Sequence, residues 1–173
     1  SMTTDVFQAL ANALNTWHSA LENYSLVQLT KAPDYNKWSV GQLYLHLVEE
    51  TSWYLKQAES AIGGGNDAEA EMGEVLQGWF RKNSFPDRKF AGLAGPQSVP
   101  QPRSRQQIEE GLVRLRQNLG ILETKLKQKG SVGKAAHPEH GYLSAEEWLQ
   151  YAKMHFRHHL RQKDQLDNYL FGG

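Results

Sequence analysis

Three of the seven histidines in the chain lie close together near its C-terminal end, in the segment Met154-His155-Phe156-Arg157-His158-His159. A helix turns once in about 3.6 residues, so positions 155 and 159 project from the same face. His158 points about 100° away from His159 and about 60° away from His155, and it is expected to flank them or to be exposed. Because imidazole nitrogens bind zinc, nickel, copper and ferrous iron, the pair His155 and His159 is a candidate metal site.

The pair falls on the side of its helix that should face the protein interior. Trp148, Ala152 and Leu166 follow the same steps of three and four residues. Two adjacent buried imidazoles are costly unless their nitrogens find partners. A metal ion would bind one nitrogen of each ring, whereas hydrogen bonds to core groups or water are the alternative. The spacing alone leaves both possibilities open.

His46 and Glu50 form a second pair one helical turn apart, in an earlier segment. His46 stands among leucines and is either a satisfied core residue or a third metal ligand. Because its helix must pack near the His155 helix in a bundle of this size, three histidines would leave a coordination position open for water or substrate. Glu50 is a candidate fourth ligand, general base or partner of a ligand imidazole; the alternative is an ordinary carboxylate at the bundle rim.

Four long segments with helical periodicity must position these side chains. Apolar residues recur at steps of three and four over residues 5–24, 39–62, 104–129 and 144–170. Asp5 is the expected N-cap of the first segment. The other three begin with capping-box patterns, in which a serine precedes Gln or Glu by three residues; these serines are Ser39, Ser104 and Ser144.

The connection between the second and third long segments is irregular. Glycines and prolines between residues 63 and 103 exclude a long helix there, apart from a short one predicted from about Glu69 to Phe80. No alternating pattern of strand length competes with the helices. The sequence therefore predicts an all-α four-helix bundle with a long crossover between the second and third long helices. Its length fits a single domain over residues 1–173.

Bulk composition excludes several classes of function. Lys+Arg and Asp+Glu both number 19, so the formal net charge of zero gives no reason to expect a nucleic-acid partner. The absence of cysteine excludes disulfides, thiolate zinc sites and a thiol nucleophile. No apolar run approaches the roughly 20 residues that a membrane span needs. We therefore expect a cytoplasmic protein without membrane or nucleic-acid partners. The small-molecule substrate is expected from the open position at the candidate metal site and not from composition.

Outside these segments, the histidines and tryptophans predict less. His137 and His140 precede the last helix and could lie over one end of the bundle, where a surface role is expected. His18 is expected to be structural or exposed. Most of the tryptophans should belong to the core or to a pocket wall.

Two blocks of the sequence resemble the DinB/YfiT-like superfamily of metalloenzymes. The stretch from His137 to Trp148 and the following segment to Gln162 are similar to the family pattern HP-x-x-G-x-L-[ST]-x-x-x-W, then H-x-x-H-H-L-x-Q. The stretch from Trp38 to Leu47 resembles the family pattern W-S-x-x-x-x-x-x-H-L. Within the superfamily, the chain looks closest to a DinB-like branch described as a domain of unknown function.

The resemblance implies a four-helix bundle, often dimeric, that binds a divalent metal ion through three histidines. Carried over by position, these are His46, His155 and His159. The expected ion is zinc or nickel, with iron as a further candidate. A homodimer is implied by the family alone.

The resemblance also implies two enzyme classes. Metal-assisted hydrolysis would use Glu50 as the base, and we favour this class. Thiol transfer would use a small thiol such as bacillithiol or mycothiol, with Arg157, Arg161 or the crossover holding the charged cofactor. A third possibility is a non-catalytic, stress-associated domain in which the metal only stabilises the fold.

Overall fold

A computed structural model describes residues 2–64, 69–87 and 98–172 of the chain. Within these residues it contains six helices and one two-stranded hairpin. In chain order these are α1 (Met2–Leu21), α2 (Leu26–Leu29), α3 (Val40–Ile62), α4 (Glu74–Lys82), α5 (Arg105–Lys129), β1 (Lys134–His137), β2 (Gly141–Ser144) and α6 (Ala145–Phe171). None of the described helices is both long and apolar enough to cross a membrane.

The four long helices α1, α3, α5 and α6 form the bundle that the periodicity predicted. Helices α1 and α3 each pack against both α5 and α6. The apolar stripe of each helix is buried in a common core, as Leu10, Leu43, Leu115 and Phe156 illustrate. Removing these side chains from water is the main stabilising contribution to such a bundle. The all-α four-helix fold is therefore confirmed.

Two complete capping boxes fix the starts of the helices that carry the histidines. Ahead of α3, the Ser39 hydroxyl accepts from the Gln42 amide at 3.1 Å, and the Gln42 side chain accepts from the Ser39 amide at 2.9 Å. Ser144 and Glu147 make the same two bonds ahead of α6 at 3.2 and 2.8 Å. Each box satisfies two backbone donors at a helix start and sets the rotational phase of the residues that follow.

Several element boundaries differ from the sequence prediction. Helix α1 begins at Met2, so Asp5 lies in its first turn and is not the N-cap. The short helix in the crossover is displaced toward the C-terminus, at Glu74–Lys82. At Ser104 only half of the predicted box forms, because the Gln107 side chain accepts from the Arg103 amide instead. The single-turn helix α2 was not predicted.

The β1–β2 hairpin ahead of α6 was not predicted either. The strands pair antiparallel with Ala135 opposite Leu143 and His137 opposite Gly141. Gly141 has a φ of +79°, and a side chain there would bring its Cβ within 2.5 Å of the Glu71 carbonyl oxygen. This position therefore requires glycine. The hairpin lies against α3 and α6, the two helices that carry the histidines.

Candidate metal centre

The structure brings together the three histidines that the sequence singled out. His46 lies on α3, and His155 and His159 lie one turn apart on α6, which packs against α3. Their side chains are buried, with exposed fractions of 8%, 7% and 6% respectively. The Nε2 atom of His155 lies 3.3 Å from Nε2 of His46 and 3.1 Å from Nε2 of His159. Among the described residues, this group could hold a metal ion, since its potential ligand atoms all lie within 4.8 Å of one another.

Neighbouring side chains hold the three rings in place. The indole of Trp38, which directly precedes the N-cap of α3, lies 4.6 Å from the His46 ring and stacks on the His159 ring at 6.5 Å between centroids. The ring of Tyr54 packs edge-on against His155 at 5.5 Å. Nδ1 of His159 lies 2.9 Å from the Gln162 side-chain oxygen. That oxygen only accepts, so Nδ1 of His159 carries the proton and its Nε2 presents a lone pair.

The three converging nitrogens fit a divalent ion better than a hydrogen-bonded cluster. Nε2 of His155 faces two other Nε2 atoms, yet it carries either one proton or one in-plane lone pair. At most one of the two contacts can therefore be a good hydrogen bond. In addition, Nδ1 of His155 is buried with no hydrogen-bond partner among the described residues. A metal ion that accepts all three Nε2 lone pairs removes the mismatch at the centre.

Burial keeps all three imidazoles neutral. It lowers the pKa of His46 to about 4, with a further contribution from His159. Burial likewise lowers the pKa of His159 to about 4 and that of His155 well below its ordinary value. A protonated imidazole has no lone pair for a metal. These three ligand nitrogens are therefore available at neutral pH without competition from protons.

Glu50 lies beside the histidines but is not part of their ligand group. A pocket of about 780 Å³ is lined by His46, His155 and Glu50, with Tyr54 and Tyr151 among the other lining residues. Burial, with a smaller contribution from the adjacent Glu49, raises the pKa of Glu50, and a hydrogen bond with Tyr54 partly offsets the rise. Glu50 is thus a half-buried carboxylate in the pocket that the histidines border, not a solvated residue at the bundle rim.

The hairpin segment adds His137 and His140 to the pocket wall, beside His46 and His155. Nε2 of His137 lies 3.2 Å from the Tyr151 hydroxyl oxygen, and the Glu139 amide donates to Nδ1 of His137 at 3.0 Å. The His137 ring stacks on Trp148 at 5.5 Å between centroids. Burial, with a contribution from His140, lowers the pKa of His137 to about 4. The predicted surface role was wrong for His137, because the unpredicted hairpin folds its ring against α6.

Comparison with known proteins agrees with the fold. Residues 9–162 match the sequence model of the DinB superfamily. The chain belongs to the DinB superfamily. Its fold is similar to that of YfiT from Bacillus subtilis, a probable metal-dependent hydrolase with an unusual four-helix bundle topology. The two chains are 16% identical with a TM-score of 0.62, and the match covers 97% of this chain and 87% of that chain. No curated protein gives a significant match.

In this member of the DinB superfamily, the predicted cofactor-binding arginines are engaged elsewhere. Arg157 donates to the Asn83 carbonyl oxygen at 3.1 Å, and Arg161 pairs with Asp87. Neither arginine lines the pocket.

The sequence missed several side chains that shape this DinB-superfamily site. Trp38 covers two of the histidines, while Tyr54 and Tyr151 line the pocket. The four-residue spacings from Glu50 to Tyr54 and from Tyr151 to His155 could have identified both tyrosines as same-face neighbours. Nothing in the sequence indicates the position of Trp38 over the rings, which depends on how α3 meets α6.

The other histidines and tryptophans largely follow their predictions. The His158 ring lies beside His159 and against Phe85, so it flanks the site. His18 is partly exposed and lies 3.5 Å from the Glu109 carboxylate. Tryptophans form core and pocket wall as predicted: Trp148 is fully buried, and Trp53 and Trp79 line the pocket.

Proposed function

We propose that the chain is a metal-dependent hydrolase of small-molecule substrates. His46, His155 and His159 would bind one divalent ion, with zinc or nickel expected first and iron as a further candidate. The observation that carries the proposal is the convergence of three buried Nε2 atoms at a pocket that also contains a half-buried carboxylate. An ion held in this way supplies a Lewis acid and lowers the pKa of water bound to it.

Glu50 is proposed as the general base. Its raised pKa makes it a better proton acceptor than a solvated carboxylate, and the bond with Tyr54 orients it in the pocket. In the hydrolysis of an ester or amide, the water oxygen bonds to the acyl carbon. Glu50 takes a water proton and then delivers it to the leaving oxygen or nitrogen as the acyl bond breaks. The carboxylate is thereby regenerated.

Two observations favour hydrolysis over the alternatives. The arginines expected to hold an anionic thiol cofactor bond to Asn83 and Asp87 instead. The ligand group contains three histidines beside a pocket, and an inert structural ion is normally enclosed by four protein ligands. The description of YfiT as a probable metal-dependent hydrolase supports the same class. The cytoplasmic location and the homodimer stay predictions.

The proposal is tested by assaying 4-nitrophenyl esters and anilides with metal-free protein and with protein loaded with zinc, nickel or ferrous iron. We expect turnover that requires the metal and falls about 10²- to 10⁴-fold in Glu50→Gln, since this is the usual contribution of a general base. Metal content should be unchanged in that variant. Glu59→Gln is the matched control, because Glu59 lies on the same helix and pairs with Lys125 at the surface. Equal turnover without metal, or full activity in Glu50→Gln, would contradict the proposal.

A further inference from the structure

Two tyrosines with different partners border the pocket. Tyr54 on α3 and Tyr151 on α6 have ring centroids 5.0 Å apart. Tyr54 interacts with the Glu50 carboxylate, which can only accept a hydrogen bond, so the Tyr54 hydroxyl donates. Its proton is therefore committed to Glu50. Tyr151 has a different partner, His137, and the direction of that hydrogen bond decides what its hydroxyl can do.

The tautomer of His137 follows from its backbone contact. The Glu139 amide lies 3.0 Å from Nδ1 of His137, and a backbone N–H can only donate. Nδ1 must therefore be an unprotonated acceptor. A neutral imidazole carries one proton, which is then on Nε2. Since Nε2 lies 3.2 Å from the Tyr151 oxygen, His137 donates and Tyr151 accepts.

This arrangement leaves the proton of Tyr151 available. His137 is the hydrogen-bond partner of the Tyr151 hydroxyl within the described residues. Because the Tyr151 oxygen accepts from His137, the hydroxyl proton of Tyr151 can be donated to another oxygen. Accepting the hydrogen bond from His137 makes the Tyr151 hydroxyl a stronger donor. Tyr151 lies one turn before His155 on α6 and lines the same pocket as His46 and Glu50. Tyr151 therefore borders the space in which a substrate would meet the proposed base.

We propose that Tyr151 is a further catalytic residue, which donates a hydrogen bond to the acyl oxygen of an ester or amide as that oxygen gains negative charge. His137 is the positioning residue that fixes the direction of the bond. The inference rests on the proposed hydrolase function and deepens it by naming the residue that would donate a hydrogen bond to the acyl oxygen of the substrate. Tyr54 and Tyr151 then have opposite roles: one orients the base and the other stabilises the oxyanion.

The hydrogen-bond direction can be tested without any activity. Long-range ¹H–¹⁵N correlation spectra of the zinc-loaded protein report which nitrogen of each histidine carries the proton. The His137 signals are assigned by their loss in His137→Gln. We expect His137 to be protonated at Nε2 at pH 7. Protonation at Nδ1 would reverse the direction of the bond and overturn the proposal.

The catalytic role is tested with the zinc-loaded protein and the 4-nitrophenyl ester that it hydrolyses fastest. Tyr151→Phe should lower kcat about 10²- to 10³-fold, the usual loss for one oxyanion donor, with KM and zinc content almost unchanged. Tyr169→Phe is the matched control, since Tyr169 is exposed near the end of the same helix. An undiminished kcat in Tyr151→Phe would overturn the proposal.

Variants of His137 separate positioning from general structural support. The amide N–H of glutamine can replace the Nε2–H of His137, so His137→Gln should keep most of kcat, whereas His137→Ala should fall toward the value of Tyr151→Phe. Equal losses in both His137 variants would contradict the positioning role. If the wild-type protein hydrolyses no ester with any metal, the proposed function itself fails, and the catalytic role of Tyr151 falls with it. Failure of the proposed function is thus seen as an inactive wild type, and failure of the Tyr151 proposal is seen as an active wild type with an equally active Tyr151→Phe variant.

Discussion

Replacing His155 with leucine should have opposite effects on the metal-free and metal-loaded proteins. In the metal-free protein, Nδ1 of His155 is buried with no hydrogen-bond partner among the residues that the structure describes. Its Nε2 faces two other nitrogens but can make only one good hydrogen bond. An unsatisfied buried polar atom costs about 1–3 kcal/mol. Leucine is of similar size and needs no partner. We therefore expect the free energy of unfolding of metal-free His155→Leu to equal that of the wild type or exceed it by up to about 2 kcal/mol.

Zinc should reverse this order. An ion that binds only the folded state at a hundredfold excess over its Kd adds about 2.7 kcal/mol to the free energy of unfolding. For a domain of this size, that corresponds to a rise in Tm of about 5–11 °C. The wild type should show this rise. His155→Leu should not, because the nitrogen that lies close to both other ligands is gone.

Thermal and urea unfolding, followed by circular dichroism, measures both effects in a chelator and in excess zinc. His18→Leu serves as the control, since His18 is partly exposed on α1 and contacts Glu109. That variant should keep the full zinc-induced rise. The reasoning is refuted if metal-free His155→Leu is less stable than the wild type by more than about 2 kcal/mol and still gains stability from zinc. That result would identify His155 as a hydrogen-bonded core residue.

Three further predictions concern pH, the support of the ligands and the hairpin. The pKa values of His46 and His159 are lowered to about 4 from 6.5, so between these values the unfolded chain binds more protons than the folded one. The contribution of these two histidines to the stability of the metal-free protein is therefore fully present above pH 6.5 and is lost as the pH falls toward 4. Urea unfolding across this range measures the decrease in the free energy of unfolding. A constant free energy of unfolding would contradict the prediction. Gln162→Leu removes the hydrogen-bond acceptor for Nδ1 of His159 and should weaken zinc binding about 10- to 100-fold, as measured by competition with a chelator. Unchanged zinc affinity would show that this hydrogen bond does not support His159 as a ligand. Gly141→Ala should lower the free energy of unfolding by about 1–3 kcal/mol, because of its positive φ and the 2.5 Å approach to a backbone oxygen. In the control Gly120→Ala, the added methyl group meets open space and should stabilise α5 by up to about 1 kcal/mol. Thermal unfolding should therefore give a lower Tm for Gly141→Ala and an equal or higher Tm for Gly120→Ala than for the wild type.

The helices and the histidine cluster were predictable because their signals are local. Apolar spacing located the four long helices, and the serines at positions 39 and 144 marked two of their starts within one residue. The four-residue spacing placed His155 and His159 on one face. His46 could be added because a bundle of this size leaves its helix few places to pack other than near α6.

The rest of the site depends on contacts between residues distant in the sequence. The hairpin strands are four residues each, too short for alternation to be distinguished from a loop. Without the hairpin, nothing indicates that His137 approaches Tyr151. Asp5 shows a different failure, since a good N-cap residue was overruled by a helix that begins three residues earlier.

Elemental analysis of protein purified without a nickel column tests the central claim most directly. The wild type is compared with His46→Ala, His155→Ala and His159→Ala. We expect about one divalent ion per chain in the wild type and a large loss in each variant, because each removes one of three ligands. Undiminished stoichiometric metal in all three variants, or a wild type that binds no divalent ion even after reconstitution, would contradict the site.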